Sequence, residues 1–111
     1  MGGSALRAET AGGRSYGSPS DALLLRLLGE LDAGNRFLIV DRLDAANDQH
    51  YMQVYREADG TFAMEYRAGG ADRHFEAVSA DLRQVHAVLT GWAADLPGWR
   101  DVCHWHHWPV P

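Results

Sequence analysis

Residues 51–70, YMQVYREADGTFAMEYRAGG, constrain the fold most strongly, because they predict a β-hairpin with a single register. Ala58, Asp59 and Gly60 can form a three-residue loop, a type I turn closed by Gly60 in the left-handed conformation. A two-residue loop at Asp59 and Gly60 would mix apolar and polar side chains on each face. We therefore expect a half-buried antiparallel sheet. The predicted register places Met52, Val54, Phe62, Met64 and Tyr66 on one face, and Tyr51, Gln53, Tyr55, Glu65 and Arg67 on the other.

Helices and further strands are expected on both sides of the hairpin. Ser18 and Pro19 are typical of a helix start, and leucines recur at helical spacing, so a helix is predicted over residues 19–33. Ser79 is expected to cap a second helix, whose apolar stripe ends at Trp92. Strands are predicted over residues 37–43 and 73–78, with a further one over 102–108. Residues 1–17, rich in Gly and Ser, are expected to be a disordered lead-in.

This order of elements predicts the α+β fold class. Short turns between neighbouring strands favour an antiparallel meander of four or five strands. Two amphipathic helices must bury their apolar stripes, and one face of the sheet is the natural place. We expect a two-layer sandwich within a single domain over residues 18–111, with the N-terminal and C-terminal helices packed on one face.

Composition excludes several functional classes. The formal net charge of -5 disfavours non-specific binding to nucleic acid. No apolar run approaches the roughly 20 residues of a membrane-spanning helix. Cys103 is the single cysteine, so no intramolecular disulfide can form, which fits a cytoplasmic protein. All ten basic residues are arginine, so every cationic contact must come from a guanidinium.

The segment CHWHHW, residues 103–108, is the strongest candidate for chemistry. On a strand, His104 and His106 would project to one face, and such a pair can supply two zinc ligands. Cys103 would project to the other face, so a third ligand would have to come from His50, His74, His86 or a carboxylate. Cys103 completes the candidate Cys/His cluster and could act as a thiolate. The alternative interpretation is that Trp105 packs on the core and the histidines face solvent. The sequence therefore predicts no cofactor, and the alternative is that this segment binds zinc.

Aromatic side chains suggest where a partner protein could bind. Trp92 and Trp105 are expected in the core, whereas Trp99 and Trp108 are interface candidates. The polar face of the hairpin is the other candidate for partner binding, since Tyr and Arg are common at binding hot spots. Its alternative is a solvated face stabilised by cross-strand pairs. The partner-binding candidates are Tyr51, Gln53, Tyr55, Glu65, Arg67, Trp99 and Trp108.

Residues 37–105 resemble a group of small uncharacterised proteins of high-G+C bacteria. The resemblance rests on YMQVYREADGTFAMEYRAGGADRHF, an amphipathic helix after it, and the GWRDVCHW end. In size, acidity and α+β layout the chain is similar to immunity proteins, which bind and neutralise bacterial toxins. The small chaperones of bacterial secretion systems have a similar layout. Both resemblances imply a function in binding another protein.

The function predicted from these observations is a non-enzymatic protein-binding module, an immunity-type inhibitor of a bacterial toxin or effector. Acidic residues over 41–48 would steer a basic partner. The alternatives are a metal-binding protein or metal-dependent enzyme using the Cys/His cluster, and a secretion-type chaperone. A homodimer through the open sheet face or a free strand edge is also compatible with the sequence.

Arg73, His74 and Glu76 are expected to form a surface ion-pair cluster.

Overall fold

The computed structural model describes residues 5–108, which form an α+β fold with a seven-stranded antiparallel sheet and two α-helices. The strand order is β2-β1-β3-β4-β5-β6-β7, so the four central strands β3 to β6 form a meander. Within this part of the chain, neither helix is long and apolar enough to cross a membrane. The elements are β1 (Leu6–Thr10), β2 (Ser15–Gly17), α1 (Asp21–Gly29), β3 (Phe37–Arg42), β4 (His50–Arg56), β5 (Phe62–Ala68), β6 (His74–Ser79), α2 (Leu82–Ala93) and β7 (His106–His107).

The β4–β5 hairpin has the register predicted from its turn. Val54 pairs with Met64, and the turn closes with Glu57 N–H donating to the Thr61 carbonyl at 2.8 Å. Gly60 has a φ of 89°, the left-handed conformation that glycine adopts without strain. The five side chains expected on the inner face are all buried, so the predicted alternation is confirmed.

The N-terminal segment corrects the prediction of a disordered lead-in. β1 pairs with both β2 and β3, which extends the sheet beyond the expected four or five strands. Leu6 and Ala8 do alternate with charged neighbours, but Ala8 is too small to give a clear apolar period. The glycines taken for a linker form a hairpin turn instead, with Gly13 at a φ of 89°. Residues 1–4 of the expected lead-in lie outside the described residues.

Both helices begin later than their predicted caps. Ser20 caps α1, accepting from Leu23 N–H at 3.1 Å, whereas Ser18 lies before the helix with a φ of 48°. Asp81 caps α2 in place of Ser79, accepting from Arg83 N–H at 2.9 Å. Each true cap lies two residues after the predicted one. The interpretation failed because several neighbouring residues had equal capping chemistry.

One hydrophobic cluster contains buried side chains from both helices and from the sheet. The sheet contributes the inner positions of the five strands β1 and β3 to β6, which follows from their period of two. Gly91 in α2 permits a close approach, because a Cβ at that position would lie 2.7 Å from the Trp99 Cβ. The helix members of the cluster are Leu24, Leu27, Leu28, Val85, Val88, Leu89 and Trp92.

The C-terminal segment is mostly not the strand expected over residues 102–108. A 3-10 helix covers Trp99–Val102, and only the two residues of β7 pair with β6. Gly98 has a φ of 90° and its carbonyl accepts from Asp101 N–H at 3.1 Å, so the chain turns before a strand can form. Residues 109–111 lie outside the described part of the chain.

Candidate functional site

The second face of the sheet carries all five hairpin residues predicted to bind a partner. Tyr51, Gln53 and Tyr55 from β4 lie beside Glu65 and Arg67 from β5, and each is half-buried. We call this surface the polar face. Half-burial on a sheet surface means that these side chains cover one another while keeping one side open to solvent.

A chain of side-chain hydrogen bonds crosses the polar face. Arg67 Nη1 donates to Gln49 Oε1 at 2.6 Å, and Arg67 Nε donates to His74 Nδ1 at 3.1 Å. His74 Nε2 lies 2.8 Å from Glu65 Oε1. The His74 side chain is 4% exposed although it belongs to this face. The expected surface cluster of Arg73, His74 and Glu76 is therefore wrong.

The hydrogen-bond partners of His74 determine its tautomer. A guanidinium can only donate, so Nδ1 of His74 accepts from Arg67. The ring N–H is then on Nε2, which donates to Glu65. Both ring nitrogens are occupied by the protein itself, and the Tyr51 ring packs edge-on against the imidazole at 6.2 Å. This arrangement orients Glu65 and leaves the imidazole no free nitrogen for a ligand.

Two carboxylates face each other beside this network. Glu65 on β5 is the direct cross-strand partner of Glu76 on β6, and both are half-buried. Trp108 N–H bonds to the carbonyl of His74, so alternate β6 residues, including Glu76, direct their backbone groups toward β7. The Glu65–Glu76 pair is then of the non-hydrogen-bonded type, with Cα atoms about 4.5 Å apart. Like charges directly opposite each other destabilise a sheet.

An open depression of about 620 Å³ lies over these carboxylates. Phe37 and Tyr55 form part of it, with their rings edge-to-face at 6.0 Å. Arg36 and Glu57 are also in its lining and form an ion pair at 3.7 Å. The depression therefore combines aromatic rings with an excess of negative charge. Its lining consists of Ala11, Gly34, Arg36, Phe37, Tyr55, Glu57, Ala63, Glu65 and Glu76.

Burial and charge also shift the acidity of the polar face. Burial raises the pKa of the Tyr55 phenol, and the nearby Glu65 charge raises it further. Burial likewise raises the pKa of Tyr51, although the Arg67 guanidinium opposes the shift. On β3, directly opposite Tyr51, burial raises the pKa of Asp41, whose carboxylate lies 3.6 Å from Arg7. The phenols therefore stay protonated through neutral pH and can donate hydrogen bonds.

The Cys/His segment does not assemble the metal site that was considered as an alternative. His104 and His106 lie together, with ring centroids 4.6 Å apart. Within residues 5–108, no three His, Cys, Asp or Glu side chains form a group that could hold a metal ion. Burial raises the pKa of the Cys103 thiol, which disfavours the reactive thiolate. The geometry does not support zinc at Cys103, His104 and His106.

The division of the four tryptophans between core and exposed surface differs from the prediction at one position, Trp99. Trp92 belongs to the core as expected, and Trp105 is partly buried against it. Trp99 is also partly buried there, with its ring centroid 5.0 Å from that of Tyr66, so it is not an open interface residue. Trp108 is 45% exposed.

Sequence reasoning did not assign to the polar face the three residues that organise it. Gln49 precedes β4 and reaches it through a long side chain, while His74 and Glu76 come from β6. Alternation along β6 places these two on one face, so the signal was present. Their cross-strand neighbours were not visible, because the register between β5 and β6 depends on the turn at Ala71–Arg73.

Comparisons of the chain with protein-family models, curated proteins and solved structures found no match. The function must therefore be argued from the side chains themselves. The polar face, with its hydrogen-bond network, its depression and its facing carboxylates, is the best-formed candidate site.

Proposed function

We propose that this protein is a non-enzymatic binding module of the immunity type, which uses the polar face to cover a toxin or effector protein. The observation that carries the proposal is the half-buried, hydrogen-bonded set of Tyr, Gln, Arg and Glu side chains on one face of the sheet. Tyrosine presents a large contact area at low entropic cost, and arginine adds a planar guanidinium with several donors, so both concentrate at hot spots.

We infer that α1 and α2 lie together on the opposite face of the sheet, as in a two-layer sandwich. The shared hydrophobic cluster supports this arrangement, since it joins both helices to the inner positions of the strands. Leu24 of α1 and Leu89 of α2 are fully buried in it together with Met52. Such packing leaves the polar face accessible to another protein.

The Glu65–Glu76 pair favours binding over a merely solvated face. A sheet face selected only for stability would place opposite charges or aromatic pairs at directly opposed positions. Here two carboxylates oppose each other, and one of them is held in place by His74. Residue choices that reduce the stability of the sheet without a compensating contact are expected at functional sites.

The same geometry argues against His74 and Cys103 as catalytic groups. A general base needs a free nitrogen or oxygen directed at its substrate, and both nitrogens of His74 are engaged by Arg67 and Glu65. The raised pKa of Cys103 disfavours a thiolate nucleophile. Steric occlusion requires neither group, only a rigid surface.

Charge supports the choice of a basic partner. The net charge of -5 would attract a cationic protein and accelerate its association. The acidic residues over 41–48 lie at one end of β3 and would contribute to this steering. The proposed cytoplasmic location rests on the single cysteine and remains part of the proposal.

Site-specific photo-crosslinking tests the proposal. A benzoylphenylalanine placed at Tyr51, on the polar face, is compared with one at Leu25, an exposed position on α1. We expect Tyr51 to capture one basic protein of the source organism that Leu25 does not capture. Equal capture at both positions, or crosslinks only to a second copy of the chain, would overturn the proposal.

A further inference from the structure

We propose that the depression on the polar face receives an arginine side chain of the partner protein, with its guanidinium between Glu65 and Glu76. This inference rests on the proposed function, since it names the chemistry by which the partner is anchored. It makes the like-charged pair the centre of the interface.

The charges of the depression are incompletely compensated within residues 5–108. Glu65 accepts from His74 through Oε1, which orients its carboxylate. Glu76 has no side-chain hydrogen bond or ion pair in the described part of the chain. His106 is its cross-strand partner on β7, but the His106 ring contacts His104 instead. A cation placed between the two carboxylates would remove their repulsion and pair with Glu76.

The shape of the depression adds a second, independent argument. Ala63 is the direct partner of Tyr55 on β4, and its small side chain leaves open space beside the phenol ring. The Phe37 ring continues this apolar wall from β3. An arginine has an apolar stem and a planar head that packs on aromatic rings, so it matches both parts of the depression. A lysine ammonium matches the charge but not the planar surface.

An internal ion pair explains why we assign the partner's guanidinium to Glu65 and Glu76 rather than to Glu57. Arg36 already pairs with Glu57 at 3.7 Å, so that carboxylate is neutralised from within the chain. This internal pair also shows that the lining accommodates a guanidinium beside a carboxylate. The remaining acidic pair lies toward β6, where an incoming side chain meets no cation from the lining.

The same charges disfavour a second copy of this chain as the occupant. A twofold dimer would bring the same surface patch of both subunits together. If the twofold axis passed through the depression, Glu65 and Glu76 would face the same carboxylates of the other copy, and the repulsion would increase. A partner with a protruding arginine is the occupant that fits the charge.

A titration with a minimal probe tests the anchor without the partner. N-acetylarginine N-methylamide is added to the full chain, and backbone amide shifts are followed by NMR. The isosteric citrulline derivative, which lacks the charge, is the matched control. We expect saturable shifts at Ala63, Glu65 and Glu76 with the arginine probe, and binding at least about tenfold weaker with citrulline. Equal shifts with both probes would overturn the inference.

Two variants make the test specific to the depression. Glu76→Gln keeps the side-chain shape, removes the charge, and should abolish saturation. Ala63→Leu should fill the space beside Tyr55 and also block the probe. Glu30→Gln, at the exposed end of α1, is the control and should bind as the unaltered chain does. Wild-type binding by both Glu76→Gln and Ala63→Leu would contradict the inference.

The outcomes separate this inference from the proposed function. If the crosslinked partner binds the polar face but the arginine probe does not, the arginine anchor is wrong and the binding function stands. If the probe binds as expected but no partner is captured at Tyr51, the anchor is supported and the immunity-type function fails.

Discussion

The two faces of the β4–β5 hairpin use the same backbone for different purposes. On the inner face, Met52, Val54 and Met64 are fully buried in the hydrophobic cluster. On the polar face, their immediate neighbours Gln53 and Glu65 stay half-buried, with Gln53 hydrogen-bonded to Tyr55 and Glu65 to His74. One residue step along a strand therefore separates a side chain that stabilises the fold from one that is available for binding.

This difference shows that the alternation of apolar and polar residues determines which side chains form the core, but does not determine the function of the opposite face. Substitutions on the inner face should change the free energy of unfolding. Substitutions of exposed or half-buried side chains on the polar face should change the affinity for the proposed partner and leave stability nearly constant. The following experiments test that division, beginning with the largest effect.

Met64→Ala and Gln53→Ala compare the two faces directly. Met64→Ala leaves a cavity in the core and should lower the free energy of unfolding by about 2–5 kcal/mol. Gln53→Ala, on the polar face, should change it by no more than about 0.5 kcal/mol. Urea denaturation of both variants measures the contrast. Similar losses in the two would contradict the assignment of the faces.

The glycines in the two helices test how closely the helices are packed. Gly91→Ala forces a Cβ to within 2.7 Å of the Trp99 Cβ, so we expect a loss of about 1–3 kcal/mol from overpacking. Gly29→Ala is the matched control, because a Cβ there meets nothing within 4 Å. Helix propensity should make Gly29→Ala stabilising by about 0.5–1 kcal/mol. Thermal unfolding measures both, and a stabilising Gly91→Ala would refute the close packing of Trp99.

Alkaline pH acts on tyrosines of both faces. Burial raises the pKa of Tyr51, Tyr55 and Tyr66 above the ordinary value of 10.0. The unfolded state then releases its phenol protons at lower pH than the folded state, so stability is complete below pH 10.0 and falls as the pH rises through the folded pKa values. Tyr55→Phe should reduce this fall. Unfolding curves between pH 8 and 11 measure it, and an identical fall in the variant would contradict the shift at Tyr55.

The smallest expected change in the free energy of unfolding is that of an exposed ion pair. Arg26 and Glu30 form an i,i+4 pair on α1 at 3.6 Å, with both side chains more than half exposed. Arg26→Ala should lower the free energy of unfolding by only about 0.2–0.5 kcal/mol, and salt should reduce the difference. A loss above 1 kcal/mol would show that surface pairs here matter more than the comparison of faces assumes.

The hairpin was predictable because its turn chemistry and its apolar alternation agree. Asp59 and Gly60 determine the loop, and the loop determines the register of every pair in β4 and β5. The apolar stripe of α2 was equally clear, and Trp92 is buried as expected. Local signals were sufficient wherever two of them pointed to the same structure.

The other elements depend on contacts between distant parts of the chain. β1 forms by pairing with β3, about thirty residues later, and its own composition is close to that of a linker. His74 is buried because Arg67, Glu65 and Tyr51 surround it, and these residues come from the two other strands β4 and β5. The grouping of the five hairpin residues on one polar face could be predicted from sequence, whereas the depression and the Glu65–Glu76 pair could not.

The affinity of the crosslinked partner for Tyr55→Ala tests the central claim most directly. Calorimetric titration is made with a chain whose unfolding curve shows that it remains folded. The account predicts binding weakened at least about tenfold, because Tyr55 forms the wall of the depression on the polar face. An affinity equal to that of the unaltered chain would show that the partner binds elsewhere.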